Sequence, residues 1–318
     1  MRLILLTGLL FSVVATTAQP VNQHGKLQVK GVQLVNEKEE PVVLRGMSFG
    51  WHNWWPRFYN KEAVQWLADD WKCTVVRAAM GVEPDGGYLK DPAGSRQKVE
   101  AVVDAAIDAG IYVIIDWHSH NIQTKEAKDF FTAMATKYGK YPNVIYEIFN
   151  EPDQESWEEV KAYSTEVINA IRVIDPDNII LVGNPHWDQN IHVVADSPLN
   201  GYSNIMYTVH YYAATHKQGL RDRCDYALKK GIPIFISESA GMEATGDGPI
   251  NAEEWIRWIE WCEKNQISWI TWSVADKDET CSVLKKGVSS TGNWKESDLK
   301  QSGIKARQLL RKYFTQDK

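Results

Sequence analysis

Two glutamates stand where apolar runs end. Glu151, in Asn150-Glu151-Pro152, follows Val144–Phe149, and Glu238 follows Ile232–Ser237. Neither has a basic residue three or four positions away, so an ion pair on a solvated helix face explains them poorly. Other apolar runs end in Arg77, in Asp116-Trp117-His118-Ser119-His120, in His210-Tyr211-Tyr212 and in Trp272-Ser273. Two carboxyl groups with Trp, Asn and His, and without a glycine-rich phosphate turn, are the parts that glycoside hydrolysis needs. One carboxylic acid protonates the leaving oxygen; the other attacks the anomeric carbon or activates water on the opposite face. Tryptophan faces stack on sugar rings, while Asn, His and Tyr hold hydroxyls.

Such groups must be brought together by the elements that carry them. From residue 42 the chain alternates apolar runs with amphipathic stretches. The runs are Val42–Phe49, Thr74–Ala79, Tyr112–Trp117, Val144–Phe149, Ile179–Val182, Ile205–His210, Ile232–Ser237 and Ile267–Ser273. They are apolar on both faces, as buried parallel strands are. Helical periodicity fills the gaps between them, and it is weakest over Gln189–Ala195. Eight strands with intervening helices match a (β/α)8 barrel, in which catalytic groups sit at the C-terminal ends of the strands. A doubly wound open sheet is the alternative, and it lacks a glycine-rich turn after any strand. Leu27–Asn36 and Pro41–Leu44, joined across Glu37–Glu40, read as a hairpin closing the barrel bottom.

The 318 residues are 44% hydrophobic and 24% charged, with a net charge of −6, which excludes a disordered or collagen-like chain. The weakly acidic balance argues against nucleic acid or an anionic membrane as partner. Fourteen tryptophans exceed what a core of this size needs. Trp66, Trp71, Trp255, Trp258 and Trp261 fall on helices and read as core. Trp51, Trp54, Trp55, Trp117, Trp187, Trp272 and Trp294 fall at strand ends or in loops, where about half would face sugar. At the N-terminus, Arg2, the apolar run Leu3–Val14 and the small residues Ala15–Ala18 read as a signal peptide over residues 1–18, cleaved after Ala18. The run is shorter than the ~17–25 residues that span a bilayer. Residues 19–318 are expected to form one catalytic domain, secreted or periplasmic, without a membrane anchor and monomeric. Cys73, Cys224, Cys262 and Cys281 read as free structural thiols, with a Cys224–Cys262 bridge the minority option.

The run Val144-Ile145-Tyr146-Glu147-Ile148-Phe149-Asn150-Glu151-Pro152 resembles glycoside hydrolase family 5, and within it the bacterial endo-β-1,4-glucanases. Further matches are Leu44-Arg45-Gly46-Met47-Ser48, Val76-Arg77, Asp116-Trp117-His118, Tyr202–Tyr212, Pro233–Glu238 and Trp269–Lys277. The resemblance implies a retaining mechanism on a β-1,4-glucan, with Glu151 as acid/base and Glu238 as nucleophile. It also implies that Asn150 holds the 2-hydroxyl and that Arg77 and Tyr212 orient the Glu238 carboxylate. By the same resemblance His118 and His210 line the reacting subsite, Trp272 is its floor, and Lys277 and Glu279 bind hydroxyls of the next ring. Arg77 should keep Glu238 ionised, and the pocket of Glu151 should raise its pKa. The chain departs from the family pattern after the nucleophile, in Ser239-Ala240-Gly241, and in the first loop, Phe49–Trp55.

No cofactor or metal is expected. His118-Ser119-His120 has the spacing of a metal pair, but no further Asp/His set completes it, so His118 reads as a sugar contact and His120 as structural. A metal-dependent barrel hydrolase is the remote alternative, and a β-mannanase of the same family is the nearer one.

Overall fold

The computed structural model describes residues 19–315, so the signal-peptide reading lies outside the described residues. Eight parallel strands close into a barrel: β3 (Arg45–Phe49), β4 (Val75–Gly81), β5 (Tyr112–His118), β6 (Val144–Glu147), β7 (Ile180–Val182), β8 (Ile205–Tyr212), β9 (Ile234–Ala240) and β10 (Trp269–Val274), with β10 pairing back to β3. Every residue of these strands is buried, which explains their near-continuous apolar sequence. After a short N-terminal helix, α1 (Pro20–His24), helices α2 (Lys61–Asp69), α3 (Pro92–Ala109), α4 (Thr124–Tyr138), α5 (Trp157–Arg172), α8 (Gln218–Lys229), α9 (Ala252–Lys264) and α10 (Gln301–Phe314) surround the barrel. Four of them, α2, α3, α5 and α9, start at a side-chain cap. Ser156 and Glu159 form a capping box on α5, and Asn60 accepts from the Ala63 amide on α2. The weak stretch near Gln189 resolves into a turn with left-handed backbone, α6 (Pro185–Asp188), and a short helix, α7 (Ile191–Asp196).

The expected hairpin is present with a different turn. Strand β1 (Gln28–Lys30) pairs antiparallel with β2 (Gln33–Val35), turning at Gly31, whose φ of 62° suits a residue without Cβ. The Glu37–Glu40 turn holds only an isolated bridge between Val35 and Pro41, because Asn36 Oδ1 gathers the Lys38 and Glu40 amides into a compact loop. Leu27 and Leu34 pack with Val75, Tyr112, Ile114, Ile145 and Met206 and plug the barrel bottom.

Strand parity then places the chemistry. Tyr112 and Ile114 belong to that interior plug, whereas Val113, Ile115 and Trp117 pack outward against the helices. Continuing inward by twos brings Asp116 and His118 into the barrel above the apolar layer. The same count turns Arg77 inward after Val75, and Glu147 after Ile145. On β9 the parity breaks. Thr208 pairs with Phe235 but His210 with Glu238, so an irregularity between them re-aims Glu238 into the barrel mouth.

Candidate active site

Arg77 is the centre of the site and is fully buried. Its Nε donates to Glu147 Oε2 at 2.7 Å, Nη1 to Glu238 Oε2 at 2.9 Å, and Nη2 to Asn150 Oδ1 at 2.6 Å. Asp116 Oδ2 lies 3.0 Å from Nη2. The guanidinium thus ties β5, β6 and β9 together and fixes Glu238 and Asn150 through one planar fork. Because Asn150 Oδ1 is engaged, its Nδ2 is buried without a hydrogen-bond partner, a donor left available at the mouth of the barrel. Tyr212 Oη donates to Glu238 Oε1 at 2.6 Å, so both oxygens of that carboxylate are held.

Glu151 sits across from Glu238. One oxygen of each carboxylate and one nitrogen of His210 lie within 4.8 Å of one another. His210 Nδ1 is 2.8 Å from Glu151 Oε1, and His120 Nδ1 is 3.7 Å from Glu151 Oε2. His120, expected to be structural, therefore belongs to the site. No separate sequence signal marks it, because His118, at the end of β5 two residues earlier, accounts for the pattern on its own. His118 Nδ1 donates to Asp116 Oδ2 at 2.7 Å, which leaves Nε2 as the ring's acceptor on the cleft wall. The His118 ring stacks on Trp272, with planes 1° apart and centroids 5.1 Å apart.

A cleft runs over these groups. On one side of the carboxylate pair it is walled by Trp51, Trp54, Trp55, Trp272, Lys277 and Glu279, the last two ion-paired with each other. On the other side a cavity of about 590 Å³ is lined by His120, His186, Trp187, His210, Tyr212 and His216. Five of the seven tryptophans at strand ends and in loops thus reach the cleft, while Trp117 and Trp294 are core. The two departures from the family pattern have structural reasons. Trp51 meets His118 edge-on at 4.3 Å and fills the first loop. After Glu238, Ser239 Oγ donates to the Ile270 carbonyl, and a Cβ on Gly241 would stand 2.2 Å from the Trp255 ring.

The electrostatics run against both expectations for the carboxyl pair. Burial and the charge of Glu151 hold the Glu238 carboxyl above its ordinary value, against the pull of His210 and Arg77. Burial would raise Glu151 too, but its hydrogen bond to His210 and the charge of that ring outweigh it, and Glu151 is lowered. The cause lies in His210. Burial would discharge this ring, yet Asp188, Glu147, Glu151 and Glu238 around it keep it protonated well above the usual histidine range. Arg77 also holds Glu147 down to about 2 against burial. Glu147, Asp116 and Asp188 were not singled out as site residues. A charged residue at an inward position of an apolar strand is the signal that marks the first two; Asp188 lies in the loop just before the weak Gln189–Ala195 segment and carries none.

Glu151, His210 and Glu238 could each offer one ligand atom to a cation, the one such grouping among the described residues. Arg77 against Glu238 and a charged His210 against Glu151 make the setting repulsive to a metal ion. The four cysteines are buried and free.

Acids, a guanidinium hub and aromatic walls at the C-terminal mouth of a parallel barrel define a glycoside hydrolase of the (β/α)8 class. The chain belongs to the cellulase family, glycosyl hydrolase family 5, whose model matches residues 35–278. It is 43% identical over 314 residues to an endoglucanase of Clostridium saccharobutylicum, covering 95% of this chain and 70% of that protein. It is 45% identical over 280 residues to endoglucanase A of Evansella cellulosilytica, covering 86% of this chain and 57% of that one. Among solved structures, one from Cytophaga hutchinsonii superposes with a TM-score of 0.92 at 46% identity, covering 94% of this chain and 98% of that chain. The catalytic domain of Thermobifida fusca endoglucanase Cel5A gives 0.88 at 35% identity, covering 92% and 99%.

Proposed function

We propose that the protein is an endo-β-1,4-glucanase that cuts internal bonds of cellulose-type β-glucan with retention of anomeric configuration. The observation that carries this is the pair Glu151 and Glu238, with oxygens within 4.8 Å in an open cleft walled by tryptophan. Retaining enzymes hold their carboxyl groups ~5–5.5 Å apart, whereas inverting enzymes leave ~6.5–9.5 Å for a water. The relatives named endoglucanase, and a cellotetraose complex of the Thermobifida fusca enzyme, support the substrate class.

In this reading Glu238 Oε attacks the anomeric carbon while the acid at Glu151 protonates the glycosidic oxygen. Water then attacks the glycosyl-enzyme, giving its proton back to Glu151 and releasing Glu238. Arg77 and Tyr212 fix both oxygens of the nucleophile before substrate arrives, so no reorganisation is needed during attack. Asn150 Nδ2 donates to the 2-hydroxyl. Its unmet hydrogen bond makes that contact worth about 1–3 kcal/mol. His118 and His210 line the reacting ring, Trp272 is its floor, and Lys277 and Glu279 hold the following ring. Glucose and mannose differ at the 2-hydroxyl, so an Asn150 placed for an equatorial group favours glucan.

The leader over residues 1–18 would export the enzyme, as a secreted or periplasmic monomer. Among the described residues no helix is long and apolar enough to cross a membrane. Viscosity loss and reducing-end release on carboxymethylcellulose, barley β-glucan and mannan test the reading. Either glucan should be cut internally at least ~10-fold faster than mannan. Faster cleavage of mannan overturns the specificity and leaves only the retaining glycosidase.

A further inference from the structure

Asp188 is a fully buried carboxyl that the mechanism above leaves without a task. It ends three successive residues in left-handed backbone, His186, Trp187 and Asp188, with φ of 62°, 52° and 60°. Side chains with a Cβ rarely adopt this conformation, and runs of it persist where the surroundings impose them. The turn carries Trp187 to the cleft and Asp188 inward. Asp188 Oδ1 accepts the Asn184 amide at 2.6 Å, Oδ2 accepts the Thr208 hydroxyl, and the same Oδ2 lies 3.4 Å from His210 Nε2. Ser237 Oγ stands 2.9 Å from that nitrogen and Glu147 Oε1 3.6 Å from it. The other nitrogen of the ring, Nδ1, is the one that meets Glu151.

With acceptors gathered at Nε2, the ring keeps a proton there in its neutral form as well as its charged form. Nδ1 and Glu151 then hold one proton between them, on the carboxyl or on the ring. We propose that Asp188 is a positioning residue, which fixes the Nε2 proton of His210 and raises the affinity of the His210–Glu151 pair for the proton delivered to the leaving group. The inference rests on Glu151 being the acid/base. As the bond from the anomeric carbon to the leaving oxygen breaks and that to Glu238 forms, the pair loses its proton to the leaving oxygen. In the second step the attacking water returns one, so the pair ends each turnover as it began.

The other groups whose charge His210 feels are Glu147, Glu238 and Asp116, each held by Arg77, and the rings of His118 and His216. Asp188 differs from those three carboxylates in making no contact with Arg77. Burial pushes Asp188 up to about 8, against the pull of His210 and Thr208. Its charge therefore grows over the pH range in which the pair would otherwise release its proton.

Asp188→Asn keeps the shape and an acceptor oxygen but removes the charge. On an aryl cellobioside with a poor leaving group, the alkaline limb of kcat/KM should move to lower pH by at least ~1 unit, with a smaller movement of the acid limb and the loss falling on kcat rather than KM. A uniform fall at all pH values, with the limb in place, indicates a purely structural role and overturns the proposal. Glu151→Gln should abolish the alkaline limb. If that limb persists, the reading of Glu151 fails, and this inference with it. Should Asp188→Asn not fold, selective ¹⁵N-histidine NMR of the wild-type protein decides, with His210 assigned by its loss in His210→Gln. Nε2 should stay protonated from about pH 5 to about pH 9; a bare Nε2 overturns the proposal.

Discussion

Replacing Tyr212 by phenylalanine removes one oxygen from the cleft wall and keeps the ring. That oxygen donates to Glu238 Oε1 at 2.6 Å in a buried setting. A hydrogen bond to a charged group contributes about 1.5–3 kcal/mol, and the ionised carboxylate loses more of it than the neutral acid. Glu238 is already held high by burial and the charge of Glu151, and Tyr212 is among the groups pulling it down. Without that bond the carboxyl binds its proton more tightly, by about one to two pH units at 1.36 kcal/mol per unit. Since Glu238 must be ionised to attack, the acid limb of kcat/KM moves to higher pH by the same amount. The assay is the pH profile of Tyr212→Phe on an aryl cellobioside from about pH 4 to about pH 9, beside the wild type. An acid limb that stays in place, or moves to lower pH, refutes the reasoning.

Glu147 is held down to about 2 by Arg77, below the ordinary glutamate value of about 4.5, so its ion pair stabilises the fold fully above about pH 4.5 and loses that effect as pH falls towards 2. Glu147→Gln should therefore cost about 3–5 kcal/mol near neutral pH in urea unfolding, with the gap to wild type closing through that window. Gly46 pairs with Val75 in the barrel, and a Cβ there would stand 1.8 Å from the Val75 carbonyl oxygen. Gly46→Ala should destabilise by more than about 3 kcal/mol, read from the same unfolding curves. Lys277→Ala should raise KM on cello-oligosaccharides ~2–10-fold with a smaller change in kcat, since it removes about one hydrogen bond in binding and none in bond-breaking.

The barrel was legible because each strand is buried on both faces and its sequence shows it, from Tyr112–Trp117 to Ile267–Ser273. Glu151 and Glu238 were legible because each closes such a strand. What escaped depends on pairing between distant elements. The irregularity opposite His210 turns Glu238 inward, and nothing local in Ile232–Ser237 announces it. The hairpin turned at Gly31 rather than at Glu37–Glu40 because Asn36 closes the acidic loop on itself. The proton affinities run opposite to expectation because His210 approaches Glu151 and because burial and the charge of Glu151 outweigh Arg77 at Glu238, and distances of this kind cannot be counted along a sequence.

The central claim is that Glu238 forms the covalent bond to sugar and Glu151 does not. A 2-deoxy-2-fluoro cellobioside with a dinitrophenyl leaving group slows the second step and lets the glycosyl-enzyme accumulate. Digestion and mass spectrometry of the trapped protein should then place the added fluorocellobiosyl mass on the peptide containing Ile234–Ala240, at Glu238. Label on Glu151, or steady turnover with no trapped enzyme and α-anomer as the first product, would contradict the account.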